Sequence, residues 1–561
     1  MAIETVDLLY PVQVVSETSR TSDRHAERLP ETTSRDLRLD RLSEWLGGDI
    51  HSGSEVLRTL AEFPQSIATI TYRQDILFDL YEAPHLRERL LDLLPKLREI
   101  TVFSRTASES DEPLLQAIWR LGELELFTEC INALHQALSD NAPPLRSEGL
   151  RRLRAYVDGV RESDTFEELQ KELPALRSGL KNKRSVTVGI NLDDRLRPVE
   201  AGLVGIHSTP FHENRLLSGF LSRVTDGDRF ALSAPLHKTP DAQSAGLPSG
   251  TKIPLSALFQ DLHHLLRSVS RPLVRAVERY LNVQTTVLRN MANQIAFYLG
   301  GARVMSRLAK AGLPVCRPQL CESEKGRFHA SEFYNLDLAR RLIDQGNPQD
   351  IVTNEVAIGE PHHIFVLTGP NQGGKTTYVR GLGIAQVWVQ SGLFAPASRA
   401  EISPADTILT HFPQAEHALP DTGRFSEETG RLSELLGRLT PNSFLLLNET
   451  LASTSPSEAV VLSREILSAL RMLGTRSILA THFHEIAQNL EELNGGQQGR
   501  TSVGSLQAGV SQDDGDQSVH RTYRIEPGPP ASTSYARDIA VRHGLSFEQI
   551  VEQFSRRGLL P

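Results

Sequence analysis

The chain has 561 residues, is 39% hydrophobic and 23% charged, and carries a formal net charge of −9. That length can hold several separate cores and the mixture is that of a globular protein, which excludes a disordered or fibrous chain. An acidic balance also excludes a protein that is basic all over, so any nucleic-acid contact has to use a local basic surface.

Residues 1–35 read as a polar arm or linker with little to bury, for instance SETSRTSDRHAERLPETTSRD. The first fifteen residues lack a basic leader region, Glu4 and Asp7 interrupt them, and no apolar run in the chain is long enough to span a membrane. Cys130, Cys316 and Cys321 form neither a metal spacing nor a disulfide framework, so the expected location is cytoplasmic. From Leu37 the spacing turns helical. Leu37, Leu39, Leu42 and Leu46 recur at intervals near three and four, and Leu86, Leu90, Leu93, Leu94 and Leu97 repeat the habit. A second helical stretch covers about 145–180, which gives a bundle or long levers over 36–183. Heptads are not sustained, which argues against a coiled coil.

The character changes at 184. Val186, Val188, Ile190 and Leu192 alternate with polar residues, Asp193–Asp194 makes a turn, and AGLVGIHS follows, which is a hairpin pattern. The Asp-Gly pair in LSRVTDGDRFALSAPL signals another. A small β-rich insertion is expected over 184–253, with 237–253 as its closing loop. Lys181, Lys183 and Arg184 just before it could meet phosphates or form a solvated turn. Helical spacing resumes over 254–314 in LSALFQDLHHLLRSVSRPLVRAVERYL, with Pro272 expected to kink or divide it. One helical domain interrupted by a smaller one is the reading.

From 315 to 545 the pattern is α/β. Ile364–Leu367 is an apolar run of the kind a doubly covered parallel strand shows. Gly369, Gly374, Lys375 and Thr376 follow it with the phosphate-loop spacing G-x-x-x-x-G-K-T. Glycines let backbone N–H groups turn inward onto phosphate oxygens, the following helix adds its positive end, the lysine reaches the β- and γ-phosphates, and the Thr376 hydroxyl can ligate Mg2+. SFLLLNET (443–450) and TRSILATHFHEIA (475–487) supply two more strands, SEAVVLSREILSALRML is a crossover helix between them, and RTYRIEPG (521–528) is an edge strand. Ligands in such sheets sit beyond the carboxyl ends of the strands. Asn448, Glu449 and His482 stand at those ends. Glu449 suits the acid that polarises an attacking water, Asn448 is a neutral oxygen ligand where a carboxylate is usual for magnesium, and His482 could sense the γ-phosphate.

TGPNQGGKTT, LLLNETLAST and ATHFHEIA, in this order and at this spacing, resemble the ATPase domain of the MutS family of DNA mismatch-repair proteins. RTYRIEPGPPASTSYARDIAVRHGL resembles the segment after that family's last strand, where a dimer-forming helical tail begins, here 546–561. DLRLDRL, YRQDILFDL and ALFQDLHHLLRSVSRPLVRAVERYL resemble its helical core. The resemblance implies a multidomain chain: an all-α lever and core domain with a small β-rich insertion, then an α/β phosphate-loop NTPase domain of the ABC type. It implies ATP and Mg2+ as cofactors, with phosphate binding on Gly369, Pro370, Asn371, Gln372, Gly373, Gly374, Lys375, Thr376 and Thr377. It makes Glu449 the catalytic acid, His482 the switch histidine, and Thr376 and Asn448 the metal side. Tyr523 falls where the family has a ring near the adenine, and Ile351 falls at the opposite contact, aliphatic rather than aromatic. Gly423, Arg424, Phe425 and Glu428 match a segment that reaches across a dimer, without the family's Ser-Thr pair. Ser453 and Thr454 match a further interface loop.

The implied partners are duplex or branched DNA, held through its phosphates, and a second copy of the chain, with no membrane. The helical core begins near residue 36, where the family's mismatch-reading domain would come first. Phe166–Glu168 and Phe483–Glu485 fit its three-letter Phe-x-Glu pattern only by chance of spacing. Two readings stand: a DNA-binding ATPase without direct mismatch reading, and a weakly hydrolysing ATP-binding scaffold, which Asn448 would favour. A transport-type ATPase would need an LSGGQ-like signature, and none stands between the first two nucleotide motifs.

Overall fold

The computed structural model describes residues 6–11, 28–49, 53–109, 113–139, 144–181, 185–192, 194, 198–207, 237–238, 274–280, 283, 285–413, 423–495, 499–512, 519–529, 544–557 and 559. The second hairpin expected at 221–236, most of the loop at 239–253, Pro272, Lys183, Arg184 and the Ser-Tyr pair near 534 lie outside them.

Eight helices come first: α1 (Glu31–Asp36), α2 (Leu39–Gly47), α3 (Gly53–Ala61), α4 (Ile67–Glu82), α5 (Pro84–Glu109), α6 (Pro113–Ser139), α7 (Glu148–Arg161) and α8 (Asp164–Lys181). A three-stranded sheet follows, made of β1 (Ser185–Leu192), β2 (Pro198–His207) and β3 (His237–Lys238), then α9 (Thr286–Lys310). β1 and β2 pair antiparallel from Ser185↔His207 to Leu192↔Pro198, as the alternation requires. The alternation does not bury its apolar face, however: Val188 and Ile190 are exposed. His237 and Lys238, expected in a loop, instead pair with Ala201 and Glu200.

The chain divides into two compact units. One comprises Met1–Thr5, Asp92–Asn141 and Leu153–Ala292, and the other Val6–Leu91, Ala142–Arg152 and Asn293–Pro561. In the first, Ala117, Leu121 and Leu124 of α6 pack with Leu169 and Leu173 of α8 and with Val277 and Tyr280. Buried Glu123 holds Arg120 and the Thr285 hydroxyl, so its charge is paired.

The second unit contains the nucleotide motifs and two sheets. The smaller has the order β4-β8-β5-β6: β4 (Gln319–Leu320), β5 (Phe328–Phe333), β6 (Asn354–Ile358) and β8 (Arg399–Ile402). The larger has the order β13-β12-β7-β11-β10-β9. Its strands are β7 (His362–Thr368), β9 (Ile408–His411), β10 (Phe444–Asn448), β11 (Arg476–Ala480), β12 (Ser502–Gln512) and β13 (Val519–Pro527). All neighbours are parallel except β12 and β13, which places 521–528 on an edge, as read. Its helices are α10 (Leu336–Asp344), α11 (Lys375–Gln390), α12 (Arg424–Leu436), α13 (Pro456–Leu473), α14 (His484–Gln488), α15 (Leu490–Gly495) and α16 (Phe547–Arg556). α13 is the crossover from β10 to β11. Ser455 caps its first turn, Pro456 stands at its start, and Gly474 ends it in a left-handed conformation. β7, β10 and β11 are buried along their length, apart from the half-buried start of β7.

Helices α1–α4, read from the sequence as the start of a helical core, belong to this same unit. Thr33 Oγ1 donates to Ile408 O at 2.9 Å and Arg380 Nε to Asp36 O at 2.8 Å. Gln390 Nε2 donates to Pro64 O at 2.8 Å. The 36–183 division therefore runs across the boundary at residue 91. The arm at 1–35 also contains an anchored piece. Leu8 is buried, its N–H donates to Gln294 Oε1 at 2.9 Å, and its carbonyl accepts from Tyr298 Oη at 2.6 Å. Tyr72 Oη and Arg73 Nε bond Asp7 O and Leu9 O at 2.7 and 2.8 Å. Leu8→Ala is expected to cost this unit ~2–5 kcal/mol, the range for emptying a leucine site. Urea unfolding reads it; an unchanged midpoint would mean that the segment contributes nothing. No helix among the described residues is long and apolar enough to cross a membrane.

Candidate active site

The loop between β7 and α11 has to bring backbone close to backbone. Gly369 has φ 137° and Gly374 φ 94°, both conformations that side chains oppose. A Cβ on Gly369 would stand 2.7 Å from that of Ala508, and one on Gly373 would stand 2.9 Å from Pro370 O. Gly374 caps α11 with no side-chain hydrogen bond, so the first amides of the helix face the loop's hollow. Bare amides, a helix start and a nearby ammonium fit the tail of a nucleoside triphosphate.

Lys375 is buried. Its Nζ donates to Gly369 O at 2.8 Å and Pro370 O at 3.2 Å, and stands 3.6 Å from Glu449 Oε1. Burial pushes its pKa below the usual lysine value, and Glu449 pulls it back. Glu449 Oε2 lies 2.7 Å from Nδ1 of His482, which is half-exposed at the end of β11. Thr376 Oγ1 donates to Asn448 Oδ1 at 2.9 Å, so two neutral oxygens sit where magnesium would accompany the phosphates.

A cavity of about 650 Å³ opens over these groups. Asn371, Gln372, Gly373, Gly374, Lys375, Thr376, Thr377, Glu449 and Tyr523 line it. Gly369 and Pro370 contribute through the carbonyls that hold Lys375. Tyr523, on β13, takes φ 57° beside a register shift, and its Cδ1 would lie 3.6 Å from a Cβ on Gly374. Asn354 secures that bend, accepting from Ile525 N at 2.6 Å and donating to Tyr523 O at 3.4 Å.

Ile351 is not on the wall. Asp350 and Val352 are, one position to either side. The opposite wall comes from the smaller sheet and α10, through Phe333, Tyr334, Asn335, Leu338 and Leu342, none of which sequence reasoning singled out. Asn335 caps α10 and donates from Nδ2 to Thr377 O at 2.7 Å. An Asn before an amphipathic run was the only signal for it.

The segment matched to a dimer contact behaves in two ways. Gly423 caps α12 and Phe425 is exposed, while the Arg424 side chain lies outside the described residues. Glu428 turns inward: it accepts from Leu451 N at 2.7 Å and from the Ser453 hydroxyl of its own chain. Thr454 Oγ1 donates to Glu458 Oε2 at 2.6 Å in the first turn of α13.

A strand, glycine loop and helix set into a parallel sheet, with an acid at the end of the next strand but one, define a phosphate-loop α/β domain. The family model for MutS domain V matches residues 365–556, and that for the MutS2 N-terminal domain matches 65–311. The chain is a MutS-family protein. Over 535 residues it is 23% identical to DNA mismatch repair protein MutS of Leuconostoc citreum (strain KM20), a match covering 91% of this chain and 56% of that one. It is 24% identical over 497 residues to DNA mismatch repair protein MSH2 of Saccharomyces cerevisiae, covering 82% of this chain and 50% of that one. Endonuclease MutS2 of Lacticaseibacillus casei is 28% identical over 265 residues, covering 46% of this chain and 32% of that one. The chain spans about half the length of the mismatch-repair relatives it matches.

Proposed function

We propose that this protein binds and hydrolyses ATP, and that two copies use the binding energy to close on DNA in repair or in the control of recombination, in the cytoplasm. One observation carries the hydrolytic part: the Glu449 carboxylate stands between Lys375 Nζ and His482 Nδ1 at the mouth of the phosphate loop. In this reading the amides of 371–377 and the Lys375 ammonium hold the β- and γ-phosphates. Glu449 takes a proton from the attacking water, and the His482 N–H steadies its other oxygen. Thr376 Oγ1 and Asn448 Oδ1 would hold the magnesium that accompanies ATP, which supplies charge neutralisation on the phosphate oxygens. Tyr523 and Val352 flank the base. α5–α8 serve as levers and the β1–β2 hairpin as a short clamp-like piece. For closure to follow, ATP has to bind the closed dimer better than the open one. MutS-type relatives named for mismatch repair favour duplex or branched DNA as the partner.

Asn448 favours a second reading, because a neutral amide holds magnesium less strongly than a carboxylate. The protein would then bind ATP, dimerise and recruit protein partners with little turnover. Steady-state phosphate release, with and without duplex and branched DNA at low salt, separates the two. Release that DNA stimulates and salt suppresses is expected from the ATPase. ATP binding with no release supports the scaffold, and the absence of DNA retention at low salt sinks the DNA-binding part.

A further inference from the structure

The turn that carries Glu449 is held in an unfavourable shape. Glu449 has φ 50° and Leu451 φ 65°, so two side-chain-bearing residues within three positions adopt left-handed backbone. Each such residue costs on the order of 1–3 kcal/mol and persists only where its surroundings impose it. Three ties impose it here. Glu449 N donates at 2.8 Å to the carbonyl of Ala480, the last residue of the strand that leads to His482. Thr450 Oγ1 lies 3.1 Å from Nδ1 of buried His411, at the end of β9. Glu428, near the start of α12, supplies the third and the largest: one carboxylate oxygen takes the Leu451 N–H and the other takes the Ser453 hydroxyl. Glu428 is itself buried, and Leu451 sits in the same apolar cluster as Leu432 of α12. A buried carboxylate that spends both oxygens on one turn is a strong restraint on that turn.

We infer that Glu428 is a positioning residue for Glu449, and that through this one side chain the N-terminal end of α12 sets the aim of the catalytic acid. The inference rests on the reading of Glu449 as that acid. Glu428 does not touch the cavity wall, and its contacts begin two residues beyond Glu449. Without it the turn is free to relax toward ordinary backbone angles, which rotates Glu449 away from Lys375 while leaving the phosphate loop as it is. Because the first turn of α12 carries exposed Phe425, a contact that shifts this helix end reaches the acid through Glu428.

The test uses the full chain with Glu428→Ala and Glu428→Gln, reading kcat, equilibrium ATP binding and urea unfolding together. Glu428→Ala is expected to lower kcat by ~10–100-fold, the scale of a misplaced catalytic group, with ATP affinity changed less than ~3-fold. Glu428→Gln keeps an acceptor for Leu451 N–H and a partner for Ser453, and is expected to restore most of the rate. Adding Ser453→Ala to Glu428→Ala is expected to remove little more, since both act on one turn. Turnover within ~2-fold of the unmodified protein overturns the inference, as does a parallel loss of ATP binding and rate, which marks general loosening. A crystal structure of the Glu428→Ala chain reads the same claim without turnover. The Glu449 carboxylate still between Lys375 and His482 would overturn it, and a carboxylate turned away supports it. An unmodified protein that binds ATP but releases no phosphate sinks the hydrolytic reading instead, and the crystal structure still decides this one.

Discussion

Lys375→Met is expected to remove most ATP binding. The Lys375 ammonium lies in the mouth of the phosphate loop, held by Gly369 O, Pro370 O and Glu449. Moving it from two carbonyls to phosphate oxygens exchanges neutral acceptors for charged ones. A charge-assisted bond of that kind is worth ~1.5–3 kcal/mol. At 1.4 kcal/mol per factor of ten, its loss weakens binding by ~10–100-fold. Methionine keeps the length and apolar stem, so the fold should survive. The substitution also leaves Glu449 with His482 as its remaining close side-chain partner among the described residues. Titration with a fluorescent ATP analogue reads the change. Unaltered affinity would mean that the triphosphate tail binds elsewhere.

Glu449→Gln is expected to separate binding from turnover. Glutamine fills the same space and can still meet His482 and stand near Lys375, but it cannot take a proton. General-base removal costs ~10²–10⁴-fold in rate. ATP affinity should stay the same or rise, because a negative charge beside the phosphates has been removed. Phosphate release under saturating ATP measures the effect. Release at the unmodified rate would transfer the role of base to another group. The rate effect is read as a ratio to the unmodified protein, because the neutral Asn448 lowers the starting rate in the second reading of the function.

The phosphate loop was legible because everything that defines it is local. Its glycines, Lys375 and Thr376 lie within eight positions, and a buried strand precedes them. The ends of β10 and β11 were legible for the same reason, since each apolar run stops at polar residues. What the sequence concealed is contact between distant segments. Ser502–Gln512 contains Gly504 and Gly509 and no sustained apolar run, yet it forms the strand beside β7. Ile408–His411 is only four residues long and ends in a histidine, yet it forms the other edge. Amphipathic spacing in α1–α4 revealed an apolar face but not what it would cover, so helices that pack on the nucleotide-binding unit read as part of a lever. Leu8 stood in a segment that looked idle because its partners, Gln294 and Tyr298, are far along the chain. One position on the cavity wall differs from the expectation: Val352 lines it and Ile351 does not. In extended backbone one step turns a side chain to the opposite side. Glu428 was picked out for a contact across a dimer, and only the fold reveals its bonds to Leu451 and Ser453 in the same chain.

The most direct measurement is a crystal structure of the full chain with magnesium and a non-hydrolysable ATP analogue. Phosphates are expected on the amides of residues 371–377, with Lys375 Nζ moved onto their oxygens, the metal beside Thr376 Oγ1, and the Glu449 carboxylate facing the terminal phosphate. An analogue bound away from this loop, or Glu449 directed out of the cavity with the analogue in place, would contradict it.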